Sequence, residues 1–180
     1  METERLSFRR WQDSDAAELF RYAVDPSVGP IAGWPPHKSI DDSLWTIQNV
    51  FPKDDTYAMI LKETGLPIGC ISLMTSSTHD IQTSEYELGY WLGKPYWGRG
   101  LMTEAAQEIV RYGFEERHAE KIWCGYYEGN QRSARVQEKI GFVPYCINEN
   151  VDVPLMGEQH TEYLSLLTKE QWEENTRKKR

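Results

Sequence analysis

Residues 84–110 read Ser-Glu-Tyr-Glu-Leu-Gly-Tyr-Trp-Leu-Gly-Lys-Pro-Tyr-Trp-Gly-Arg-Gly-Leu-Met-Thr-Glu-Ala-Ala-Gln-Glu-Ile-Val. The aromatic and aliphatic residues from Tyr86 to Leu92 are typical of a buried strand, which the turn at 93–95 ends. From Leu101 onward, apolar residues recur at helical spacing. This stretch therefore predicts a strand, a glycine-rich turn and a helix that buries one face.

The turn between this strand and helix is suited to bind an anion. Gly98 and Gly100 carry no side chain, so successive backbone N–H groups can point to one place at the helix N-terminus, where the helix dipole is positive. Arg99 can add a positive charge, and Thr103 can either donate its hydroxyl to a phosphate oxygen or cap a backbone group. The pattern predicts a phosphate site along residues 97–101.

Two common nucleotide motifs do not match this turn. A Walker loop has Gly-Lys followed by Ser or Thr, whereas Gly100 is followed by Leu101 and Met102. A dinucleotide fingerprint would have a third glycine at the position of Thr103. A nucleotide-binding domain therefore stays a weaker alternative.

The motif does resemble the pyrophosphate loop of the GNAT N-acetyltransferases, in which Tyr-Trp-Gly-Arg-Gly (96–100) leads into Thr-Glu-Ala (103–105). The resemblance extends to Asn-Gln-Arg-Ser (130–133) and Glu-Lys-Ile-Gly-Phe (138–142), in the order seen in the branch that includes the ribosomal-protein N-acetyltransferases. It implies an acyltransferase that uses acetyl-CoA as cosubstrate. The residues expected to bind acetyl-CoA are Leu92, Trp97, Gly98, Arg99, Gly100, Leu101, Thr103, Asn130 and Ser133.

The rest of the chain alternates between strand and helix patterns. Further strands are predicted at 5–9, 56–61, 67–74, 122–127, 142–151 and 160–167, and helices after Asp13 or Ser14 and at 39–51, 130–141 and 169–176. Strand, helix, strand in succession implies one parallel pair. We expect an α/β fold: a single domain over 1–180, with a mixed, mostly antiparallel sheet and helices on both faces. The GNAT resemblance adds that the parallel pair splays at the acyl-CoA site.

Two segments are predicted to be loops. Residues 25–37 contain four prolines and two glycines, and residues 75–83 are polar. Trp34 in the first loop either packs down as an anchor, which we favour, or lines an acceptor pocket. Acceptor specificity is expected in residues 25–51 and in the 148–160 hairpin.

Composition limits the partners of this chain. The net charge of −8 predicts a negative surface that repels nucleic acid and attracts amines or basic peptides. No apolar run approaches the roughly 20 residues of a membrane span, and no apolar signal region follows Met1, so we expect a cytoplasmic protein with no membrane partner. The four basic residues at 177–180 are expected to be a solvated tail. Seven tryptophans leave room for a homodimer interface.

The cysteines and histidines do not suggest a metal. Cys70, Cys124 and Cys146 are widely spaced among apolar residues, which predicts reduced core cysteines. The four histidines have no ligand spacing with one another or with cysteine, so we expect no bound metal.

A carboxylate is the expected base for the acceptor amine. A lysine-type amine has a pKa near ~10.4 and must lose a proton before it attacks. Glu85 and Glu87 lie two apart on one strand face, where each raises the pKa of the other, and Glu87 is our first choice. Both can instead be solvated or paired structural residues. The ribosomal-protein branch places its base before the hairpin glycine, where this chain offers only Asp152, and a water chain is a further alternative.

The helix at 130–141 carries the candidate acid. Ser133 lies on its inward stripe and, by the resemblance, protonates the departing thiolate, although Tyr126 or Tyr127 can substitute. Asn130 is placed as the N-cap and, by the resemblance, also bonds the pantetheine arm. Backbone N–H groups of residues 88–92 are expected to support the oxyanion.

These patterns together predict an acetyl-CoA-dependent N-acetyltransferase. Its acceptor is a primary amine, either a protein N-terminus or a small molecule, which attacks directly within a ternary complex. The alternative from another class is a regulatory module that binds acyl-CoA without turnover.

Overall fold

The computed structural model describes residues 1–53, 55–75 and 84–178, and these form one seven-stranded sheet with five helices. The strands are β1 (Leu6–Arg9), β2 (Asp55–Leu61), β3 (Leu66–Met74), β4 (Glu85–Leu92), β5 (Lys121–Tyr127), β6 (Val143–Val153) and β7 (Glu158–Thr168). The helices are α1 (Ala16–Ala23), α2 (Ile40–Asn49), α3 (Leu101–Glu115), α4 (Gln131–Ile140) and α5 (Lys169–Lys178). The α/β prediction is confirmed.

The sheet is antiparallel except at one place. Its order is β1-β2-β3-β4-β5-β7-β6, and β4 and β5, which α3 connects, are parallel. Their register begins with Glu85 beside Lys121 and ends with Glu87 beside Trp123, although the strands continue to Leu92 and Tyr127. The expected splayed parallel pair is therefore present.

Helix α3 begins where the sequence predicted and buries a continuous stripe. The stripe consists of Leu101, Met102, Ala105, Ala106, Ile109, Val110, Gly113 and Phe114, which recur at helical spacing. They join Leu88 and Leu92 of β4 and Ile122 and Cys124 of β5 in the main core. The hydrophobic effect thus fixes α3 across the parallel pair.

A second core cluster lies on the opposite face of β4. Trp91 packs with residues of α1 and α2, whereas its neighbours Tyr90 and Leu92 belong to the main core. Trp34 packs in this second cluster, with its ring 5.9 Å from that of Trp91, so it is the anchor that we favoured. The predicted helices on both faces follow from these two clusters.

Several local predictions need correction. The first helix is not capped by Asp13 or Ser14; a short 3₁₀ turn precedes it, and the carboxylate of Asp15 accepts hydrogen bonds from the Gln12 backbone and the Arg9 guanidinium. Cys146 is exposed, whereas the other two cysteines are buried as expected. Residues 76–83 of the predicted loop and 179–180 of the predicted tail lie outside the described residues.

None of the helices within the described ranges combines the length and the apolar character that crossing a membrane requires.

The main core generates a prediction about stability. Phe114 is 1% exposed and stacks on Trp172 of α5, so replacing it with alanine leaves a cavity and should lower the free energy of unfolding by about 3–5 kcal/mol. Leu155→Ala is the control, because that side chain is 71% exposed and its loss should cost less than about 0.5 kcal/mol. Urea denaturation measures both, and similar small losses would contradict this description of the core.

Candidate active site

The glycine turn adopts the backbone that its sequence suggested. Gly98 and Gly100 have φ values of 73° and 76°, in the left-handed region that side chains disfavour. A β-carbon at Gly98 would meet no atom within 4 Å, so the space beside this glycine is open. Because no clash excludes a side chain there, it is the positive φ that favours glycine at this position. Gly100 is the N-cap of the 15-residue α3, whose positive dipole end faces this space.

An N-terminal brace, which consists of Thr3 and Arg5, holds the turn against α3. The Arg5 guanidinium donates to the Arg99 carbonyl (3.0 Å) and to a Glu104 oxygen (2.7 Å). The other Glu104 oxygen accepts from the Thr3 hydroxyl (2.5 Å) and from the Arg5 backbone (2.9 Å). Burial alone would raise the pKa of Glu104, but these hydrogen bonds and the Arg5 charge outweigh it and lower the pKa.

A cavity of about 350 Å³, called here the donor cavity, lies between the turn and α4. All the residues predicted to bind acetyl-CoA line it except Arg99: Leu92, Trp97, Gly98, Gly100, Leu101, Thr103, Asn130 and Ser133. Arg99 is exposed, and its guanidinium lies 5.7 Å from the centre of the Tyr96 ring. The structure thus places eight of the nine predicted residues at one cavity, whereas Arg99 is not part of its lining.

Three cations that sequence reasoning missed line the donor cavity from α4. Arg132, Arg135 and Lys139 are spaced i, i+3 and i+7, so they share one side of the helix. The Arg132 guanidinium lies 3.9 Å from the centre of the Trp97 ring. Their spacing after the Asn130 cap was the signal that could have identified them.

A second cavity of about 170 Å³, called here the acceptor cavity, meets the donor cavity where β4 and β5 separate. Its lining includes Glu87, Tyr126, Tyr127 and Glu162. Ile31, Ala32, Tyr90, Asn130 and Ser133 line both cavities. The two cavities therefore lie next to each other and share a wall of five residues.

A pair of hydroxyl groups, Ser133 and Tyr90, lies in this shared wall. The Ser133 hydroxyl is 2.8 Å from the Tyr90 hydroxyl and accepts from the Gln137 amide (3.3 Å). Burial raises the pKa of Tyr90 well above its ordinary value, so the phenol stays protonated. Sequence reasoning missed Tyr90, which could have been noticed because it alternates with Trp91 onto the core side of β4.

Asn130 fixes the start of α4 below this pair. Its side-chain oxygen accepts from the Ser133 backbone N–H (3.2 Å), which is the predicted N-cap. Its amide also lies 3.5 Å from the Ile31 carbonyl, so the loop between α1 and α2 closes over the same place.

The candidate bases occupy different environments. Glu85 is buried and accepts hydrogen bonds from the Lys121 ammonium and the Trp123 indole, both at 2.8 Å. It therefore has the environment of a paired structural residue, which was the alternative to a base. Asp152 accepts from Gln159 (2.9 Å) and lines neither cavity. Among the carboxylates considered from the sequence, Glu87 lines the acceptor cavity.

The alternative acids and the buried thiol lie outside the donor cavity. Tyr126 and Tyr127 line only the acceptor cavity, and Tyr126 stacks on Tyr163 with ring centres 5.2 Å apart. Burial raises the pKa of the Cys124 thiol, which donates to the Leu88 carbonyl (3.3 Å). Cys124 is therefore a core residue, as expected. Within 1–53, 55–75 and 84–178, no group of three or more His, Cys, Asp and Glu side chains is placed to hold a metal.

The chain is similar to known acetyltransferases. The family model described as an acetyltransferase (GNAT) domain matches residues 5–143. The uncharacterised N-acetyltransferase p20 of Bacillus licheniformis is 28% identical over 145 residues, which is 78% of this chain and 80% of that protein. The ribosomal protein uS5-alanine N-acetyltransferase of Escherichia coli is 36% identical over 55 residues, which is 31% of this chain and 28% of that protein.

Solved structures share the fold. A GNAT-family acetyltransferase from Bacillus anthracis superposes with a TM-score of 0.82 at 24% identity, covering 94% of this chain and 98% of that one. RimJ of Mycobacterium smegmatis, solved in complex with CoA-disulfide, has a TM-score of 0.75 at 16% identity, covering 92% of this chain and 82% of that one.

The N-terminal brace generates a pH-dependent prediction. Glu104→Gln removes a charged acceptor and should lower the free energy of unfolding by roughly 1–2 kcal/mol at neutral pH. Because the folded pKa of Glu104 is lowered, its contribution is present above the unfolded value of about 4.3 and is lost as pH falls through the folded value.

Urea denaturation of both proteins between pH 7 and pH 2 measures this effect. The difference between wild type and Glu104→Gln should shrink below about pH 4. A difference that stays constant with pH would contradict the role given to the Glu104 charge.

Proposed function

The chain belongs to the GNAT acetyltransferase family and is an N-acetyltransferase, and on that premise we propose that it moves an acetyl group from acetyl-CoA to a primary amine by direct attack. The observation that carries this proposal is the shared wall of the donor and acceptor cavities, formed where β4 and β5 separate. A thioester on one side and an amine on the other would meet beside Ser133 and Tyr90. Holding two reactants in this way replaces a bimolecular encounter with an oriented one.

The donor cavity fits the chemistry of acetyl-CoA. Its diphosphate would lie at the open space before Gly98, where backbone N–H groups and the dipole of α3 favour negative charge. Arg132, Arg135 and Lys139 would face the phosphates from α4. The RimJ structure, which has a similar fold and was solved with CoA-disulfide, supports a ligand of the CoA class. When bound, acetyl-CoA supplies an acyl group activated as a thioester.

Glu87 would take the proton of the attacking amine. It lies on the acceptor cavity, and a base is needed there because a lysine-type ammonium has a pKa near ~10.4. Backbone N–H groups of β4 between Leu88 and Leu92 would support the oxygen of the acyl group, since β4 has left its register with β5 there. Cys124 is buried and burial raises the pKa of its thiol, so this cysteine is a poor candidate for an acylated intermediate, in keeping with direct attack.

Ser133 would return a proton to the departing sulfur. Its oxygen accepts from Gln137 and lies 2.8 Å from the Tyr90 hydroxyl, a contact in which either hydroxyl can donate; with Tyr90 as the donor, the Ser133 proton would be available to the donor cavity. Tyr90 and Gln137 are positioning residues in this scheme, because both act through the Ser133 hydroxyl. Asn130 would bond the pantetheine arm while it caps α4.

The acceptor would be a protein N-terminus or a small-molecule amine. Similarity to the ribosomal-protein acetyltransferase of Escherichia coli supports a protein acceptor. Asp152, which this chain offers where the ribosomal-protein branch places its base, lines neither cavity and gives no further support. We also propose a single domain over 1–180 and a cytoplasmic location, where ribosomal proteins would be met. A homodimer stays a prediction.

Removal of the proposed acid and base should lower turnover. Glu87→Gln and Ser133→Ala are each expected to reduce kcat by about tenfold or more while acetyl-CoA binding is kept. Thiol release from acetyl-CoA with a panel of primary amines measures kcat. Asp152→Asn is the control and should retain turnover, because that carboxylate lies outside both cavities.

Unchanged turnover in Glu87→Gln and Ser133→Ala would remove both residues from the mechanism. Acetyl-CoA binding by a wild type that acetylates no amine in the panel would instead favour the non-catalytic regulatory module.

The two arginines near the turn allow a matched test of donor binding. Arg132→Ala should weaken acetyl-CoA binding roughly tenfold, because Arg132 lines the donor cavity, whereas Arg99→Ala should weaken it much less. Thermal unfolding with and without the ligand measures this, since ~100 times its Kd adds about 2.7 kcal/mol to the folded state. ATP and NAD at matched concentration are controls. A larger shift with either nucleotide would overturn the assignment of the donor.

A further inference from the structure

Glu162 is a second carboxylate in the acceptor cavity that sequence reasoning did not single out. It lies on β7 and is 6% exposed, and its Oε2 accepts from the Asn148 amide of β6 (3.2 Å). Its Oε1 lies against the α-carbon of Gly125, where a β-carbon would stand only 2.7 Å away. The missing side chain of Gly125 thus leaves space for this carboxylate at the cavity. The hydrogen bond from Asn148 holds it there.

Glu162 and Glu87 share one face of the sheet. Glu87 stands beside Trp123 and Glu162 beside Tyr127, and residues 123, 125 and 127 alternate onto the same face of β5. Because the Glu162 carboxylate reaches back to Gly125, it is displaced from the level of Glu87 by two residues, or about 7 Å along the strands.

Both carboxylates act on one side chain, that of Tyr127. Tyr127 lines the acceptor cavity, and its pKa is raised by burial and then by the charges of Glu162 and Glu87. A carboxylate removed from water is stabilised by a nearby cation, and tyrosine rings favour one as well. The acceptor cavity therefore offers two separate places for positive charge.

We propose that the preferred acceptor carries a second cationic group, which Glu162 binds while Glu87 faces the amine that is acetylated. This inference rests on the proposed function and adds the charge of its substrate. The shared chemistry is a primary amine with a second ammonium or guanidinium a few ångströms further along the molecule, on the scale of the roughly 7 Å offset of the two carboxylates along the strands. A short diamine provides it, and so does a peptide whose N-terminal residue is followed by lysine or arginine.

Paired acceptors test this inference directly. Thiol release gives kcat/KM for 1,4-diaminobutane against butylamine and, to distinguish the two sources, for Ala-Lys amide against Ala-Leu amide. Wild type should prefer the doubly charged member of at least one pair by about tenfold or more. Glu162→Gln keeps the shape and the oxygen that accepts from Asn148, and should reduce that preference about tenfold.

Two further variants complete the design. Glu158→Gln changes an exposed carboxylate on the same strand and should keep the preference. Gly125→Ala displaces the Glu162 carboxylate without removing it and should weaken the preference, so it decides the matter if Glu162→Gln does not fold. Thermal unfolding without ligands checks the fold of each variant.

The outcomes separate the two proposals. A wild type that acetylates amines with no preference for the second charge, or a preference that survives both Glu162→Gln and Gly125→Ala, would overturn this inference alone. A wild type that acetylates none of the four acceptors would overturn the proposed function, and this inference with it.

Discussion

The separation of two parallel strands is the feature on which the rest of the structure depends. β4 and β5 share only the register from Glu85–Lys121 to Glu87–Trp123, yet β4 remains paired with β3 as far as Leu92. The backbone of β4 is thus held firmly on one side while it faces the cavities on the other. α3 spans the pair through its buried stripe, and α4 follows β5, so both helices place their N-terminal ends at the opening.

A small set of polar contacts fixes the groups that surround this opening. The Trp97 indole donates to the Leu92 carbonyl (2.7 Å), which joins the end of β4 to the glycine turn. The N-terminal brace holds the same turn from outside, and the Ser133 and Tyr90 hydroxyls occupy the point where the two cavities meet. The Trp97 and the Ser133–Tyr90 contacts are partly removed from water, where an unbonded polar group is costly, whereas the contact of the brace is exposed. All three fix groups that the proposed chemistry uses.

Local pattern predicted much of this, and long-range geometry limited the rest. Strand alternation, the Asn130 cap and the turn at Gly98 and Gly100 were readable because each depends on neighbouring residues. The direction of the Arg99 side chain was not readable, because a charge beside a glycine turn can point either way; its guanidinium lies 5.7 Å from the centre of the Tyr96 ring. Spacing along the chain could place Tyr90 and the α4 cations on one face of their own elements, but the convergence of β4, β7 and α4 on the two cavities, which also brings in Glu162, depends on long-range geometry.

Amide hydrogen exchange with and without acetyl-CoA tests the central claim most directly, because it locates the bound ligand on the backbone. The account predicts that acetyl-CoA slows exchange in residues 98–103 at the start of α3, in 88–92 of β4 and in 130–133 of α4. ATP at the same concentration should leave these segments unchanged. Protection by acetyl-CoA elsewhere, or equal protection by ATP at the glycine turn, would contradict the claim that the opening between β4 and β5 is an acyl-CoA site.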